Sequence, residues 1–122
     1  MDAVLWFHQN WFFVAVVTTG VVGLWGLVLA GFRRSPAKAF GIAVAIAISA
    51  MLIQVAAGVT LQLMGRPPAA FHVFYGVVIA VTFSIAYVYR AQLARRPALA
   101  YGILLLFVMG LGIRAWLSDL TP

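Results

Sequence analysis

The sequence has few charged residues: they make up only 8% of its 122 residues, whereas 66% of the residues are hydrophobic. A soluble globular domain typically carries about 25% charged residues, because its surface must remain in contact with water. So few charges cannot solvate the outside of a domain of this size. The composition therefore excludes an ordinary soluble protein and indicates one domain whose surroundings are mainly lipid.

Cysteine is absent from the chain. Its absence excludes disulfides, thiolate zinc sites, iron–sulfur clusters and the attachment of c-type haem. Acids are scarce as well, since Asp2 and Asp119 are the only two against eight lysines and arginines. A basic balance can indicate nucleic-acid binding. Here the basic residues form short clusters between apolar runs, so we expect no nucleic-acid partner.

Four apolar segments are long enough to span a bilayer, which takes about 20 helical residues for roughly 30 Å of hydrocarbon. Their runs are continuous rather than alternating, which favours helices over barrel strands. We predict an all-α integral membrane protein, an antiparallel four-helix bundle that forms one domain over residues 1–122. Short connections predict that consecutive helices pack as neighbours. The predicted helices cover about 11–31, 40–64, 71–89 and 99–117, separated by Ser35-Pro36, Gly65-Arg66-Pro67-Pro68 and Arg96-Pro97.

Small residues mark the faces on which these helices can approach each other closely. Gly20, Gly23 and Gly26 recur along the first segment, and the second is rich in alanine. Such residues predict tight helix–helix packing, because they allow two backbones to come together.

The basic residues predict the orientation, because cytoplasmic loops of membrane proteins carry an excess of lysine and arginine. Both termini are therefore predicted to be extracytoplasmic. The N-terminus has an acid where a signal peptide would be positively charged, so we interpret it as part of the mature protein. The whole pattern fits a multi-pass protein of a bacterial inner membrane. Six basic residues follow the first and third segments, against two on the other side: Arg33, Arg34, Lys38, Arg90, Arg95 and Arg96 against Arg66 and Arg114.

No carboxylate lies within any predicted segment, which excludes several kinds of membrane chemistry. A small cation-coupled drug exporter needs a membrane acid that binds and releases protons. A hydrolase with two carboxylates and a carboxylate–metal site are excluded for the same reason. Ser/His/Asp chemistry lacks an acid that is placed to orient a histidine.

Two histidines are the candidate functional residues, because His8 opens the first segment and His72 opens the third. Both segments run inward from the outer face, and in an antiparallel bundle they can lie diagonally across the core. Two imidazoles placed in this way can supply both axial ligands of a b-type haem. Against this, His8 lies further from its inner basic cluster than His72 does, and at about 1.5 Å per residue the offset in depth is roughly 10 Å. Tilt of the first helix would remove that offset.

Each histidine also has a purely structural interpretation. His8 borders the headgroup region, where it can form hydrogen bonds with water. His72 follows a proline-rich loop and can anchor the start of the third helix.

Short motifs in the first three segments resemble the haem A synthase family. The second segment carries Gln54, Gly58 and Thr60, a short proline loop follows, and the next segment opens with Phe71-His72. His8-Gln9 at the head of the first segment is similar to the other outer-facing ligand of that family. The resemblance implies a half-length, four-helix unit with His8 and His72 in the haem-ligand positions.

The chain departs from that family at one position that bears on catalysis. The family carries a glutamate one turn before its first histidine, which is thought to take part in oxidation of a haem methyl group. Here the corresponding stretch is Val4-Leu5-Trp6-Phe7 and contains no acid. We therefore expect no catalytic residue in this chain.

Three functions remain open on the sequence alone. The first is a small b-type cytochrome for electron transfer, in which Arg114 and Arg66 pair with the haem propionates because guanidinium matches carboxylate geometry. For Arg66, contact with lipid headgroups is an equal alternative. The second is a haem-free accessory subunit of a larger respiratory or photosynthetic membrane complex. The third, a homo-oligomeric haem-modifying enzyme, is disfavoured by the missing glutamate.

Overall fold

The computed structural model describes residues 2–66 and 68–120, without the side chains of Asp2 and Leu120. Pro67, one of the predicted helix breakers, lies outside the described residues. The described residues form helices and no strands, and the helices are α1 (Asp2–Gly31), α2 (Lys38–Leu63), α3 (Ala70–Val88), α4 (Arg90–Leu93) and α5 (Pro97–Leu120).

Four of these helices, α1, α2, α3 and α5, are long and apolar enough to cross a membrane. Large apolar side chains cover their outer faces: Trp6 is 66% exposed, Phe71 69% and Leu63 84%. A continuous apolar exterior of this kind is stable in lipid rather than in water. The prediction of an all-α four-helix membrane bundle is confirmed.

Two helix boundaries differ by more than two residues from the predicted ones. α1 begins at Asp2 rather than near residue 11, and α5 continues to Leu120 rather than ending near 117. The polar run His8-Gln9-Asn10 interrupts the apolar sequence of α1, and Ser118-Asp119 interrupts that of α5, whereas the helical backbone continues through both. At the start of α1, the Asn10 side chain donates a hydrogen bond to the Trp6 carbonyl 2.8 Å away, one turn earlier in the same helix. The single-turn helix α4 was not predicted.

The helices do not all pack on their chain neighbours. α1 packs extensively on both α2 and α5, and α3 packs on α5, whereas α2 and α3 make little contact. The expectation that every pair of consecutive helices would pack together is therefore wrong for α2 and α3. A short connection brings two helix ends together, but it does not force their faces into contact. α1 and α3 take diagonal positions in the bundle.

Glycines allow α1 and α5 to approach each other closely. A Cβ atom on Gly26 would lie 2.6 Å from the Ala98 carbonyl oxygen, and one on Gly102 would lie 3.0 Å from the Gly23 carbonyl oxygen. Contacts this short are possible only without side chains, so the two backbones touch. We name this contact of Gly23, Gly26 and Gly102 the glycine seam. It confirms the close packing predicted from the glycines of the first segment.

Hydrogen bonds join α1 to α2 near the middle of the bundle. The indole nitrogen of Trp11 donates to the Ala50 carbonyl oxygen at 2.8 Å. Nearby, the buried Met51 packs in a core cluster with Ala15, Ile79, Phe83 and Val108. The hydroxyl of the buried Thr19 donates to the carbonyl one turn back, at 2.8 Å, so it needs no partner on another helix.

The same hydrogen-bonded turn ends α1 and α2. After α2, Gly65 has φ +83° and the Arg66 amide donates to the Leu61 carbonyl at 3.0 Å. After α1, Arg33 has φ 54° and the Arg34 amide donates to the Leu29 carbonyl at 2.9 Å. This is the Schellman motif, in which the left-handed residue is usually glycine. Both helices therefore end without burying unpaired carbonyl groups.

Candidate functional site

The two histidines meet at one end of the bundle, which we call the histidine end. His8 lies in the second turn of α1 and His72 in the first turn of α3. Both are partly buried, and their ring centroids are 6.0 Å apart with an angle of 63° between the ring planes. The sequence suggested that His8 and His72 would lie at different depths in the membrane, but the two rings are close together. α1 extends well beyond α3 at the opposite end, because its 30 residues compare with 19 in α3.

The His72 ring is fixed on one side by α5. Its Nδ1 lies 2.9 Å from the Ala115 carbonyl oxygen and 2.8 Å from Asp119 Oδ2. A carbonyl oxygen can only accept a hydrogen bond, so Nδ1 must carry the proton. In the neutral imidazole, the lone pair is then on Nε2, which is the form that binds a metal.

The His8 ring lies against α2 at Gly58. A Cβ atom on Gly58 would be 3.1 Å from His8 Cε1, so a larger residue there would displace the ring. The Gln54 amide nitrogen donates to the His8 carbonyl oxygen at 2.8 Å and holds the backbone of α1 against α2. His8 Nδ1 and Gln54 Oε1 are buried and have no hydrogen-bond partner among the residues that the structure describes. Buried polar atoms of this kind are uncommon and point to a partner that the protein alone does not supply.

Both histidines line a cavity of about 490 Å³, most of whose wall comes from α2 and α3. This volume falls within the range of about 300–1,000 Å³ that is typical of small-molecule and cofactor sites. Small residues on three helices leave the space open, namely Gly58, Gly76, Ala80, Gly112 and Ala115. The wall is mainly apolar, with polar groups at Gln9, Gln54, Gln62, Arg66 and Asp119. The cavity exists because α2 and α3 make so little contact.

The donor set can be compared with what different metal centres require. Among the described residues no group of three or more His, Cys, Asp or Glu side chains could hold a metal ion. A haem supplies four nitrogens of its own and needs the protein only for axial ligands. Two imidazoles on the wall of a mainly apolar cavity can supply such ligands, and the His8 and His72 ring centroids lie 6.0 Å apart.

The two arginines considered as propionate partners occupy different places. Arg66 lines the cavity, whereas Arg114 is not among the residues that line it. Arg114 Nη2 lies 3.3 Å from the Tyr75 hydroxyl oxygen, to which it donates, and the guanidinium carbon is 5.6 Å from the Tyr75 ring centroid. The structure therefore does not bring Arg114 together with the two histidines.

Asp119 is a site residue that the sequence analysis missed. The expectation that no acid is placed to orient a histidine is wrong, because Asp119 contacts the His72 ring. It was missed because α5 was predicted to end near residue 117. A helical pattern was nevertheless present, since Gly112, Ala115 and Asp119 follow at intervals of three and four residues. They share one face of α5, and all three line the cavity.

No protein-family model, curated protein or solved structure matches this chain.

Proposed function

We propose that the protein is a small membrane cytochrome that binds a b-type haem between His8 and His72 and serves in electron transfer. The observation that carries this proposal is the convergence of two imidazoles, with centroids 6.0 Å apart, on the wall of a mainly apolar cavity of about 490 Å³. The resemblance of the first three helices to haem A synthases points to the same two residues.

A bound haem would supply one-electron chemistry through its iron. The contribution of this chain is to hold and surround the group. His72 offers Nε2, because its Nδ1 proton is donated to α5. The apolar wall excludes water and provides a low dielectric, which, with the ligand type, sets the potential of a haem.

Arg66 is the favoured partner for a haem propionate, because it lines the cavity that holds both histidines. Guanidinium groups pair well with carboxylates. Arg114 is not among the residues that line the cavity, and its hydrogen bond to Tyr75 joins α5 to α3 beside the site.

Electron transfer is favoured over haem modification. The turn before His8, Val4-Leu5-Trp6-Phe7, contains no acid that would take the place of the catalytic glutamate of haem A synthases. We place the protein in a bacterial inner membrane with the histidine end and both termini extracytoplasmic, on the basis of the six basic residues near the opposite end.

The test is an absorption spectrum of the protein purified in mild detergent, recorded as reduced minus oxidised. A haem with two histidine ligands gives a Soret band and sharp α and β bands. We expect these bands in the wild-type protein and their loss in His8→Ala and in His72→Ala. The matched control is Asn10→Ala, since Asn10 lies two residues from His8 on an exposed face and does not line the cavity.

A folded but colourless protein that takes up no added haem would contradict the proposal. If that protein also co-purified with a large membrane complex, the result would favour the accessory-subunit function. Retention of the bands in both histidine variants would show that other residues hold the haem.

A further inference from the structure

We infer that Asp119 is a positioning residue that fixes the His72 ring and strengthens its Nε2 as a ligand, an inference that rests on the proposed haem site. Asp119 lines the cavity but is not one of the two proposed haem ligands. Its effect on the site passes through His72, whose Nδ1 lies 2.8 Å from Asp119 Oδ2.

Each carboxylate oxygen of Asp119 contacts a group at the start of α3, one on His72 and the other on Ala69, the residue before the helix. Oδ2 faces His72 Nδ1, and Oδ1 accepts a hydrogen bond from the Ala69 amide at 3.1 Å. Ala69 is the N-cap of α3, where amide groups lack partners within the helix. With two contacts on one segment, the carboxylate has little freedom to rotate, so it fixes the position of the first turn of α3 relative to α5.

α5 offers two acceptors to the same ring nitrogen. The Ala115 carbonyl oxygen lies 2.9 Å from His72 Nδ1, and Asp119 is one turn further along the same helix. The carbonyl alone is sufficient to fix the tautomer. The carboxylate places a negative charge beside the shared N–H, which strengthens this hydrogen bond and makes Nε2 a stronger electron-pair donor to a metal.

The two histidines are therefore not equivalent. His72 has a carboxylate and a carbonyl on its Nδ1, whereas His8 Nδ1 is buried and has no hydrogen-bond partner in the described part of the chain. Partners of this kind on a metal-bound histidine typically change metal affinity about 10–100-fold when they are removed. We expect Asp119 to contribute at this level, and its negative charge to favour the ferric over the ferrous state.

The first measurement uses the haem-free protein, so that it reads the inference without depending on haem binding. In ¹⁵N-histidine NMR of the full chain in detergent, wild-type His72 is expected to carry its proton on Nδ1, with a strongly downfield proton resonance. In Asp119→Asn that resonance is expected to move upfield. The His8→Ala variant assigns the signals, because the chain contains only two histidines.

The second measurement is a titration with haem, together with a redox titration. Asp119→Asn is expected to bind haem about 10–100-fold more weakly than the wild type and to have a higher midpoint potential. Asp119→Glu keeps the charge and is expected to restore most of both properties. Asp2→Asn is the control, since it removes the same charge from the other acid in the sequence.

The two proposals fail in different ways. If no variant binds haem but the Nδ1 resonance responds to Asp119→Asn, the proposed function is wrong and the positioning of His72 stands. If haem binds to wild type and Asp119→Asn with equal affinity and potential, Asp119 has no positioning role. A wild-type His72 that carries its proton on Nε2 would overturn the inference whatever the haem titration gives.

Discussion

Replacement of Gly102 by alanine tests whether the glycine seam holds the bundle together. The added methyl group would lie 3.0 Å from both the Gly23 carbonyl oxygen and the Leu27 amide nitrogen, and 3.2 Å from the Gly26 carbonyl carbon. Ordinary van der Waals contacts of a Cβ atom begin at 3.4 Å. All three neighbours are backbone atoms, so no side chain can rotate away, and α1 and α5 must move apart.

The expected cost follows from two opposing effects. Overpacking of a closely packed interface by one methyl group typically costs about 1–3 kcal/mol. The change from glycine to alanine within a helix returns up to about 1 kcal/mol, because alanine has the higher helix propensity. Gly110→Ala is the matched control on the same helix, because a Cβ atom there has no described atom within 4 Å. The difference between the two variants isolates the steric effect, which we expect to be about 1–3 kcal/mol in the free energy of unfolding.

Reversible unfolding in mixed micelles of mild detergent and dodecyl sulfate, followed by circular dichroism, measures this difference. Gly102→Ala should unfold at a lower fraction of dodecyl sulfate than the wild type, and Gly110→Ala should not. Equal stability of the two variants would show that α1 and α5 do not approach each other as closely as the glycine seam requires.

Three further predictions concern a helix end, the histidine site and the topology. Arg33→Gly should raise the free energy of unfolding by about 0.5–1 kcal/mol, because Arg33 is left-handed with φ 54°, whereas Arg33→Ala, which removes the same charge, should give no gain. Gly58→Ala should weaken haem binding about fivefold, which corresponds to about 1 kcal/mol, by displacing the neighbouring His8 imidazole. Gly41→Ala, on the same helix and with no atom of the described residues within 4 Å of its Cβ position, should leave the titration unchanged. An impermeant thiol reagent applied to intact cells should label Ser118→Cys but not Ser35→Cys, a clean comparison because the chain has no cysteine of its own. The opposite labelling pattern would invert the orientation.

The features that could be predicted from the sequence depend on properties of single helices. The four membrane spans follow from the length of the apolar runs, and close packing of the first helix follows from Gly23 and Gly26, which any partner backbone can exploit. The meeting of His8 and His72 could also be anticipated, because alternate helices of an antiparallel bundle run in the same direction and bring their starting ends to the same face.

The features that could not be predicted depend on how helices are rotated and where they end. Adjacent residues of a helix point about 100° apart, so hydropathy alone did not decide that Ala115 would face the cavity while its neighbour Arg114 would face Tyr75. Asp119 lies in the last turn of α5, beyond the end near residue 117 that was predicted from the sequence. The carboxylate that contacts His72 was therefore outside the segment in which membrane acids were sought.

The cavity follows from which helix pairs are joined and which are not. The glycine seam joins α1 to α5, hydrogen bonds to backbone carbonyls join α1 to α2 through Trp11, and α3 to α5 through His72. These three interfaces join all four long helices, in the order α2, α1, α5 and α3. No comparable contact joins α2 to α3 among the described residues. The bundle therefore does not depend on contact between α2 and α3, and the cavity can remain open between them. The two histidines lie on the wall of this cavity, where a ligand would contact both.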